Sequence, residues 1–133
     1  MKISDATQSD LFIGLSILDT TPLGGVDDGI FFDKVDGATA IRFQSYKDTV
    51  QTSVAVTTVM DTSYHIYEFW VDNVALKIYA YIDGALVAPI TAAYNIDEAM
   101  GFNFQFLAGV AAAKTCTLDW RRIIAIGGRD GET

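Results

Sequence analysis

The clearest hydrophobic pattern lies in residues 64–87, where three runs rich in aromatic and β-branched residues are separated by two polar pairs. The pairs are Asp72-Asn73 and Asp83-Gly84. Asp-Gly is a strong hairpin signal, because glycine accepts the positive φ angle of a type I′ turn, and asparagine also tolerates the left-handed conformation. The pattern therefore predicts a meander of three antiparallel strands.

Side chains along a strand alternate between its two faces, so the same pattern predicts which face is buried. In the second run an apolar set forms a natural core face, made of Leu76, Ile78, Ala80 and Ile82. The opposite face of the meander carries four large aromatic residues: Tyr64, Trp70, Tyr79 and Tyr81. Outer faces of open antiparallel sheets are usually polar. We therefore expect a second sheet, another subunit or a ligand to cover this aromatic face.

Strand patterns also occur in six further segments, at residues 11–18, 30–33, 39–46, 50–59, 100–107 and 115–126. Gly14, inside the first of them, predicts a bulge or a close backbone approach. Turns are predicted at Asp36-Gly37 and Lys47-Asp48. Residues 89–98 have no strand pattern, residues 108–113 suit a loop or one helical turn, and no segment keeps a helical period. About nine short strands predict an all-β fold, a two-sheet antiparallel β-sandwich or a barrel.

The chain length suits one domain over residues 1–133, with a polar lead-in or short edge segment at 1–10 and a flexible tail at 127–133. Half of the residues are hydrophobic, which is a high share for a chain of 133 residues. No apolar run approaches the ~20 residues that a membrane span needs. The apolar surplus is therefore explained by a tightly packed sandwich, by subunit interfaces or by both, and we favour both.

The formal net charge is −8, from 17 acidic and 9 basic residues. Nucleic-acid binding needs positive charge to displace counterions from phosphate, so this balance argues against it and against docking on anionic membranes. The first ten residues contain no apolar stretch of the kind found in signal peptides. Cys116 is the one cysteine, which excludes an internal disulfide and predicts a buried, inert thiol.

Asp27 and Asp28 are the candidate metal ligands, with Gly29 after them and two more aspartates nearby in sequence. Carboxylate oxygens suit Ca²⁺, but the spacing does not match the EF-hand loop. Acidic residues are also common in turns, where their side chains bind backbone N–H groups. We therefore expect turn chemistry and no cofactor, with a Ca²⁺ site at Asp27 and Asp28 as the alternative.

Catalytic constellations are not recognisable in the sequence. Glycoside hydrolysis needs two facing carboxylates, and nothing brings Glu68 and Asp119 together. His65 is the single histidine, so neither a zinc site nor a Ser-His-Asp triad can be assembled, and a hydrogen-bonded, partly buried imidazole is expected. No phosphate-binding glycine motif is present. The sequence therefore predicts a protein that is not an enzyme.

The aromatic face remains the most suggestive surface. Aromatic rings are enriched at protein interfaces and can also stack on sugar rings. Burial under a facing sheet or a neighbouring subunit is the favoured interpretation, and a carbohydrate platform is the alternative.

Three segments, residues 64–71, 78–87 and 116–123, resemble the back half of a concanavalin A-like (laminin-G-like) jelly roll. They contain a strand ending in Asp-Gly and a closing strand with Asp119-Trp120. Residues 10–37 further resemble small lectin-like virion proteins of tailed bacteriophages. This resemblance implies a jelly-roll sandwich, a role in decorating or stabilising a capsid, and location in the virion.

Two departures from that superfamily limit what the resemblance implies. The Glu-x-Asp-x-x-Glu strand of the glucanases is absent, so their hydrolase activity does not carry over. The calcium and manganese ligand pattern of legume lectins is also unrecognisable. In addition, a full jelly roll has one or two strands before Leu11, so the fold is expected to lack N-terminal strands. A partner or a symmetry mate would then supply the missing edge, or the chain is a truncated product.

These patterns together predict a non-catalytic β-sandwich that acts by binding and assembly. The expected partners are further copies of the chain, as a homo-oligomer, or a capsid protein. The alternative is a carbohydrate-binding module that uses the aromatic face.

Overall fold

A computed structural model describes residues 1–18, 20–72, 74–91, 99–119 and 121–123, with only the backbone described at 52–59 and 88–91. These residues form ten β-strands and one short 3₁₀ turn at Pro22–Gly24, and they contain no α-helix. The strands are β1 Lys2–Ile3, β2 Ser9–Ser16, β3 Gly29–Lys34, β4 Ala40–Lys47, β5 Val50–Val59, β6 Tyr67–Asp72, β7 Lys77–Ile82, β8 Ala85–Thr91, β9 Gly101–Ala108 and β10 Cys116–Thr117. The predicted all-β class is confirmed.

The strands form three antiparallel sheets. One sheet has five strands in the order β5-β4-β3-β2-β9, a second has three in the order β6-β7-β8, and β1 pairs with β10. Most neighbours are consecutive in the chain and are joined by hairpins. The exception in the large sheet is β9, which pairs with β2 along its whole length from Ser9↔Ala108 to Ser16↔Gly101.

The main core lies between the five-stranded and the three-stranded sheet. From the large sheet it takes Leu11, Ile30, Phe32, Ile41 and Phe43, and from the small sheet Ile78, Ala80 and Ile82. The ring of Phe32 meets that of Tyr67 edge-on at 5.3 Å, and the rings of Phe43 and Phe69 lie 5.7 Å apart. The two sheets are therefore layered as in a β-sandwich, and the predicted core face of β7 is confirmed.

A second apolar cluster covers the outer face of the large sheet. Phe12 and Phe31 stack at 4.4 Å, and Val26 packs on both from the connection between β2 and β3. Leu23 packs there as well, and its N–H donates to Gln105 Oε1 at 3.0 Å. Residues 20–28 thus fold over the sheet.

The strands meet closely at Gly14. A Cβ atom added there would lie 2.3 Å from the carbonyl oxygen of Ile30, and the register of β2 with β3 has no shift. Of the two predictions made for Gly14, the close backbone approach is therefore confirmed and the bulge is wrong.

The predicted two-residue turn at Asp83-Gly84 is confirmed, because Ile82 pairs directly with Ala85 and the turn residues have φ angles of 53° and 77°. The turn at Asp36-Gly37 is also present. The β4–β5 turn lies one residue later than predicted, with positive φ at Asp48 and Thr49.

The β6–β7 connection is longer than the predicted two-residue turn. β6 ends at Asp72, whose Oδ1 accepts hydrogen bonds from the N–H groups of Val74 and Ala75 at 2.9 and 2.8 Å. Leu76 has a φ angle of 52° and is 52% exposed, so its assignment to the core face is wrong. Asn73 lies outside the described residues.

Two strand boundaries also differ from the sequence prediction. β8 continues through Pro89 to Thr91, a stretch predicted to be irregular, and residues 92–98 lie outside the described part. Of the last strand, predicted over residues 115–126, the described residues show Cys116–Thr117 as a strand, paired with the two residues of β1. Ala108 ends β9, and residues 109–113 form a loop with no helical turn. Trp120 and residues 124–133, which include the predicted tail, are not described.

The polar lead-in is more structured than its composition predicts. Ile3 in β1 is completely buried in the main core. The Asp5 carboxylate accepts hydrogen bonds from the N–H groups of Thr7 and Gln8, both at 2.9 Å, and from Lys114 Nζ at 2.6 Å. A short strand therefore does precede Leu11.

Candidate binding surface

The register of the small sheet gathers aromatic residues on its outer face. Trp70 pairs with Tyr79, and Glu68 pairs with Tyr81, which in turn pairs with Leu86 on β8. The intervening residues of β6 and β7 point into the core. Alternation along two paired strands therefore sends these five side chains to the side opposite the core. We call this set, Glu68, Trp70, Tyr79, Tyr81 and Leu86, the aromatic face.

The rings of Trp70 and Tyr79 form a stacked pair. Their centroids lie 5.3 Å apart with an angle of 20° between the planes. Trp70 is 53% exposed and Leu86 is 50% exposed, while Tyr79 and Tyr81 are half-buried. Such exposure is high for large apolar side chains that lie next to one another on one sheet.

The structure distinguishes between the coverings expected for this face. The five-stranded sheet packs on the other side of β6 and β7, so it cannot cover Trp70 and Tyr79. Of the three coverings considered, another subunit and a ligand remain.

Charged residues flank the aromatic pair along the strands. Asp72 pairs with Lys77 on one side of it, and the exposed Glu68 lies on the other side. Opposite charges on directly paired strand positions attract each other. Residues of opposite charge, Asp72 and Lys77, therefore lie at one end of the face, and the Glu68 carboxylate lies at the other.

Tyr64 does not belong to the aromatic face. It precedes β6, is 56% exposed, and its ring lies 5.5 Å from the Nζ atom of Lys2 on β1. The structure therefore brings Trp70, Tyr79 and Tyr81 together and places the fourth predicted aromatic residue beside the N-terminal strand.

The two predicted metal ligands lie at a shallow cavity of about 590 Å³, which Asp27, Asp28, Asp48, Ile17, Thr49 and Ala99 line. Asp28 is 8% exposed and its Oδ1 accepts a hydrogen bond from the Asp48 N–H at 3.4 Å, while the Asp27 carbonyl accepts one from the Thr49 N–H at 2.9 Å. Within the described residues, no group of three or more His, Cys, Asp or Glu side chains could hold a metal ion. The Asp28 carboxylate thus makes a turn contact, as favoured for it, whereas Asp27 contacts Thr49 through its backbone; a Ca²⁺ site at Asp27 and Asp28 stays a prediction.

His65 lies between two carboxylates, an arrangement that was not recognised in the sequence. Its Nδ1 is 2.6 Å from Asp83 Oδ2 and its Nε2 is 2.9 Å from Asp61 Oδ1. The hydrogen bond with Asp83 raises the pKa of His65 above its ordinary value, the bond with Asp61 adds to this, and partial burial opposes it. The expected hydrogen-bonded, partly buried imidazole is confirmed, and both of its nitrogens are engaged.

Cys116 packs against the main core and is half-buried. Burial raises the pKa of its thiol above the ordinary value. A protonated thiol is a poor nucleophile, which agrees with the inert role predicted for it.

A polar row crosses the outer face of the large sheet. Asp33, which is 7% exposed, accepts hydrogen bonds from Arg42 and Gln44, and Gln44 accepts one from Gln51. The alternation of Arg42 and Gln44 with Ile41 and Phe43 predicts a polar outer face, but not the pairing with Asp33. Because these groups satisfy one another, the row stabilises the sheet.

Among the residues that the structure describes, no helix has the length and hydrophobicity needed to cross a membrane. A scan against protein-family models, a search of curated proteins and a search of solved structures find no match to this chain. The candidate site therefore rests on the geometry of the aromatic face.

Proposed function

We propose that this chain is a non-catalytic assembly protein that associates with copies of itself through the aromatic face. The observation that carries the proposal is the stacked Trp70–Tyr79 pair on the outer side of the small sheet, in which Trp70 is 53% exposed. In a chain of net charge −8, an exposed apolar surface of this kind is a contact surface.

Burial of this surface would contribute favourable free energy to association. Burying the exposed half of a tryptophan side chain removes roughly 100 Å² from water, which contributes roughly 2–3 kcal/mol. A two-fold symmetric dimer buries the same residue twice, since both copies use one patch. Tyr79 and Leu86 add to this. Trp70 therefore occupies the position of an interface hot spot.

The charges on the face suit a second copy of the same chain. A two-fold axis that runs along the strands would place Lys77 of one copy opposite Asp72 of the other, and Trp70 opposite Tyr79. The aromatic pairs would then meet at the centre of the interface, with the charges at its rim. Charge pairs at a rim set the orientation of the partners more than they add affinity.

The orientation of the rings favours a protein partner over a sugar. A sugar ring binds by lying on the open face of an aromatic ring. Trp70 and Tyr79 already cover one face of each other, because their planes are nearly parallel. Their edges and outer faces suit the irregular surface of side chains from another subunit.

The resemblance of residues 10–37 to lectin-like virion proteins of tailed phages suits such an assembly. On this proposal the fold is a jelly-roll sandwich of the concanavalin A-like kind, and the chain decorates or stabilises a capsid. The aromatic face then makes contacts between copies on the capsid surface.

Sedimentation velocity over a wide range of concentration tests self-association. We expect the wild-type protein to associate, and the Trp70→Ser and Tyr79→Ser variants to raise the dissociation constant at least about tenfold, since loss of ~1.4 kcal/mol corresponds to that factor. Tyr64→Ser is the matched control, because Tyr64 is equally exposed but lies off the face. A wild-type protein that stays monomeric at all concentrations, or a Trp70→Ser variant that associates as tightly as wild type, would contradict the proposal.

A carbohydrate-binding module is the second candidate. It is favoured by the Glu68 carboxylate, which is exposed beside the rings of Tyr81 and Trp70 and could accept hydrogen bonds from sugar hydroxyls. A glycan array distinguishes the two functions. Glycan binding that is lost in Trp70→Ser and kept in Tyr64→Ser would support the module, whereas the assembly function predicts no glycan binding.

A further inference from the structure

The His65 side chain connects two parts of the chain that are distant in sequence. Asp61 lies in the connection between β5 and β6, and Asp83 begins the hairpin turn between β7 and β8. The imidazole bridges their carboxylates, with Nδ1 at 2.6 Å from Asp83 and Nε2 at 2.9 Å from Asp61. The two contacts leave neither ring nitrogen unpaired.

The number of protons on the ring decides how many of these contacts can be hydrogen bonds. An ionised carboxylate only accepts hydrogen bonds. The imidazolium form has two N–H donors and can therefore donate to both carboxylates, whereas the neutral ring has one donor. We propose that His65 is a pH-dependent clasp, which in its protonated form holds the 60–66 connection to the β7–β8 hairpin and releases Asp61 when it loses its proton.

The geometry indicates which contact is lost. The Asp83 carboxylate has two contacts with the 60–66 connection: Oδ2 with the His65 ring, and Oδ1, which accepts a hydrogen bond from the Ile66 N–H at 2.8 Å. The contact of Asp61 with the ring is the longer of the two, and its other hydrogen bonds are local ones with the backbone and side chain of Ser63. In the neutral ring the remaining proton therefore stays on Nδ1, which donates to Asp83. The lone pair of Nε2 then faces the Asp61 carboxylate, and the two repel each other.

Other ionisable groups face the clasp from the neighbouring elements. The amino terminus of Met1 donates a hydrogen bond to the His65 carbonyl oxygen at 2.7 Å, and the His65 N–H donates to the Met1 carbonyl oxygen at 2.9 Å. The ring of Tyr67 lies edge-on to the imidazole at 6.2 Å, and Cys116 on β10 lies near Tyr67. Burial raises the pKa of both Tyr67 and Cys116 above their ordinary values.

The direction in which stability changes with pH follows from the direction in which the pKa of His65 is shifted. The folded-state pKa of His65 is raised above 6.5 by its carboxylate partners. Its contribution to stability is therefore fully present below the unfolded-state pKa and is lost as the pH rises through the folded-state pKa. The clasp is closed in mildly acidic solution and open in alkaline solution.

Titration by NMR tests the clasp directly, because His65 is the single histidine and its ring signals need no assignment. We expect a midpoint above 6.5, amide signals of residues 61–63 that shift with the same midpoint, and lower midpoints in Asp61→Asn and Asp83→Asn. Asp48→Asn is the control, because its carboxylate is 77% exposed and belongs to the β4–β5 turn. A wild-type midpoint at or below 6.5, or an unchanged midpoint in Asp61→Asn, would overturn the clasp.

Urea unfolding of His65→Gln provides a second measurement. Between mildly acidic and mildly alkaline pH we expect the wild-type protein to lose more stability than the variant, because glutamine does not titrate and the other ionisable groups are common to both proteins. Equal losses in both proteins would contradict the clasp. If the variant does not fold, the titration of Asp61→Asn decides.

Discussion

Gly14 shows how one residue fixes the distance between two strands. Its position on β2 lies against the backbone of β3, where the Phe31 Cα would be 2.5 Å from an added Cβ atom. The register of β2 with β3 is regular at this point, so no bulge makes room for a larger side chain at position 14. The neighbouring Phe12 and Phe31 rings stack at 4.4 Å across this close approach. Glycine is thus required here by the packing of the sheet.

We predict that Gly14→Ala lowers the free energy of unfolding by at least about 1–3 kcal/mol, the usual cost of overpacking a core. Gly101→Ala is the matched control, because nothing lies within 4 Å of a Cβ atom added there. Urea unfolding of both variants measures the difference. A Gly14→Ala variant as stable as Gly101→Ala would show that the strands can separate at this point.

At Lys34 the sequence predicts the position of the side chain but not its hydrogen-bond partners. It is completely buried, and its Nζ donates to the carbonyl oxygens of Thr7, Ser9 and Val35 at 3.2, 2.6 and 3.3 Å. Burial lowers the pKa of Lys34 below its ordinary value, while nearby aspartates oppose this. The signal in the sequence is a lysine on the same strand face as the core residues Ile30 and Phe32. Two of the carbonyl partners, Thr7 and Ser9, come from the first ten residues and cannot be derived from that signal.

At the scale of the element, the β4–β5 hairpin contains an unfavourable residue. Its turn has positive φ angles at Asp48 and Thr49, of 50° and 67°. Aspartate tolerates this conformation, whereas a β-branched threonine adopts it at a cost of roughly 1–2 kcal/mol. The contact that Thr49 makes in the turn uses its backbone N–H, which donates to the Asp27 carbonyl oxygen.

We predict that Thr49→Gly stabilises the protein by about 0.5–1 kcal/mol, since the strain is relieved and the added chain entropy of glycine offsets part of the gain. The backbone hydrogen bond to Asp27 is retained. Gly84→Ala, in the tight β7–β8 turn with a φ angle of 77°, is the opposite case and should destabilise. Thermal unfolding compares the two variants. A lower melting temperature in Thr49→Gly would contradict the prediction.

Elements made from neighbouring residues follow well from the sequence. The Asp83-Gly84 turn, the core face of β7 and the bounds of β5 depend on local alternation and turn chemistry. Elements that depend on distant partners do not follow. The β1–β10 pair joins residues 2–3 to 116–117, which are more than 110 residues apart in the sequence.

At the scale of the whole molecule, the sandwich-like layering explains why an aromatic face is left outside. The core uses one side of the small sheet, so every second residue of β6 and β7 must point away from it. Sequence alternation therefore predicts Trp70, Tyr79 and Tyr81 on one face. It fails for Tyr64, because the chain before β6 turns toward Lys2 instead of continuing the strand. It also misses the His65 clasp, whose two carboxylates meet only when β7 and β8 are folded.

The central claim, that the aromatic face is covered by another copy of the chain, is tested most directly by hydroxyl-radical footprinting at low and high protein concentration. This method measures the solvent exposure of tryptophan and tyrosine side chains. In dilute solution we expect Trp70 to react as a residue that is 53% exposed. At high concentration we expect protection of Trp70, Tyr79 and Tyr81, while Tyr64 stays reactive. Unchanged reactivity of Trp70 at high concentration, or equal protection of Tyr64, would contradict the account.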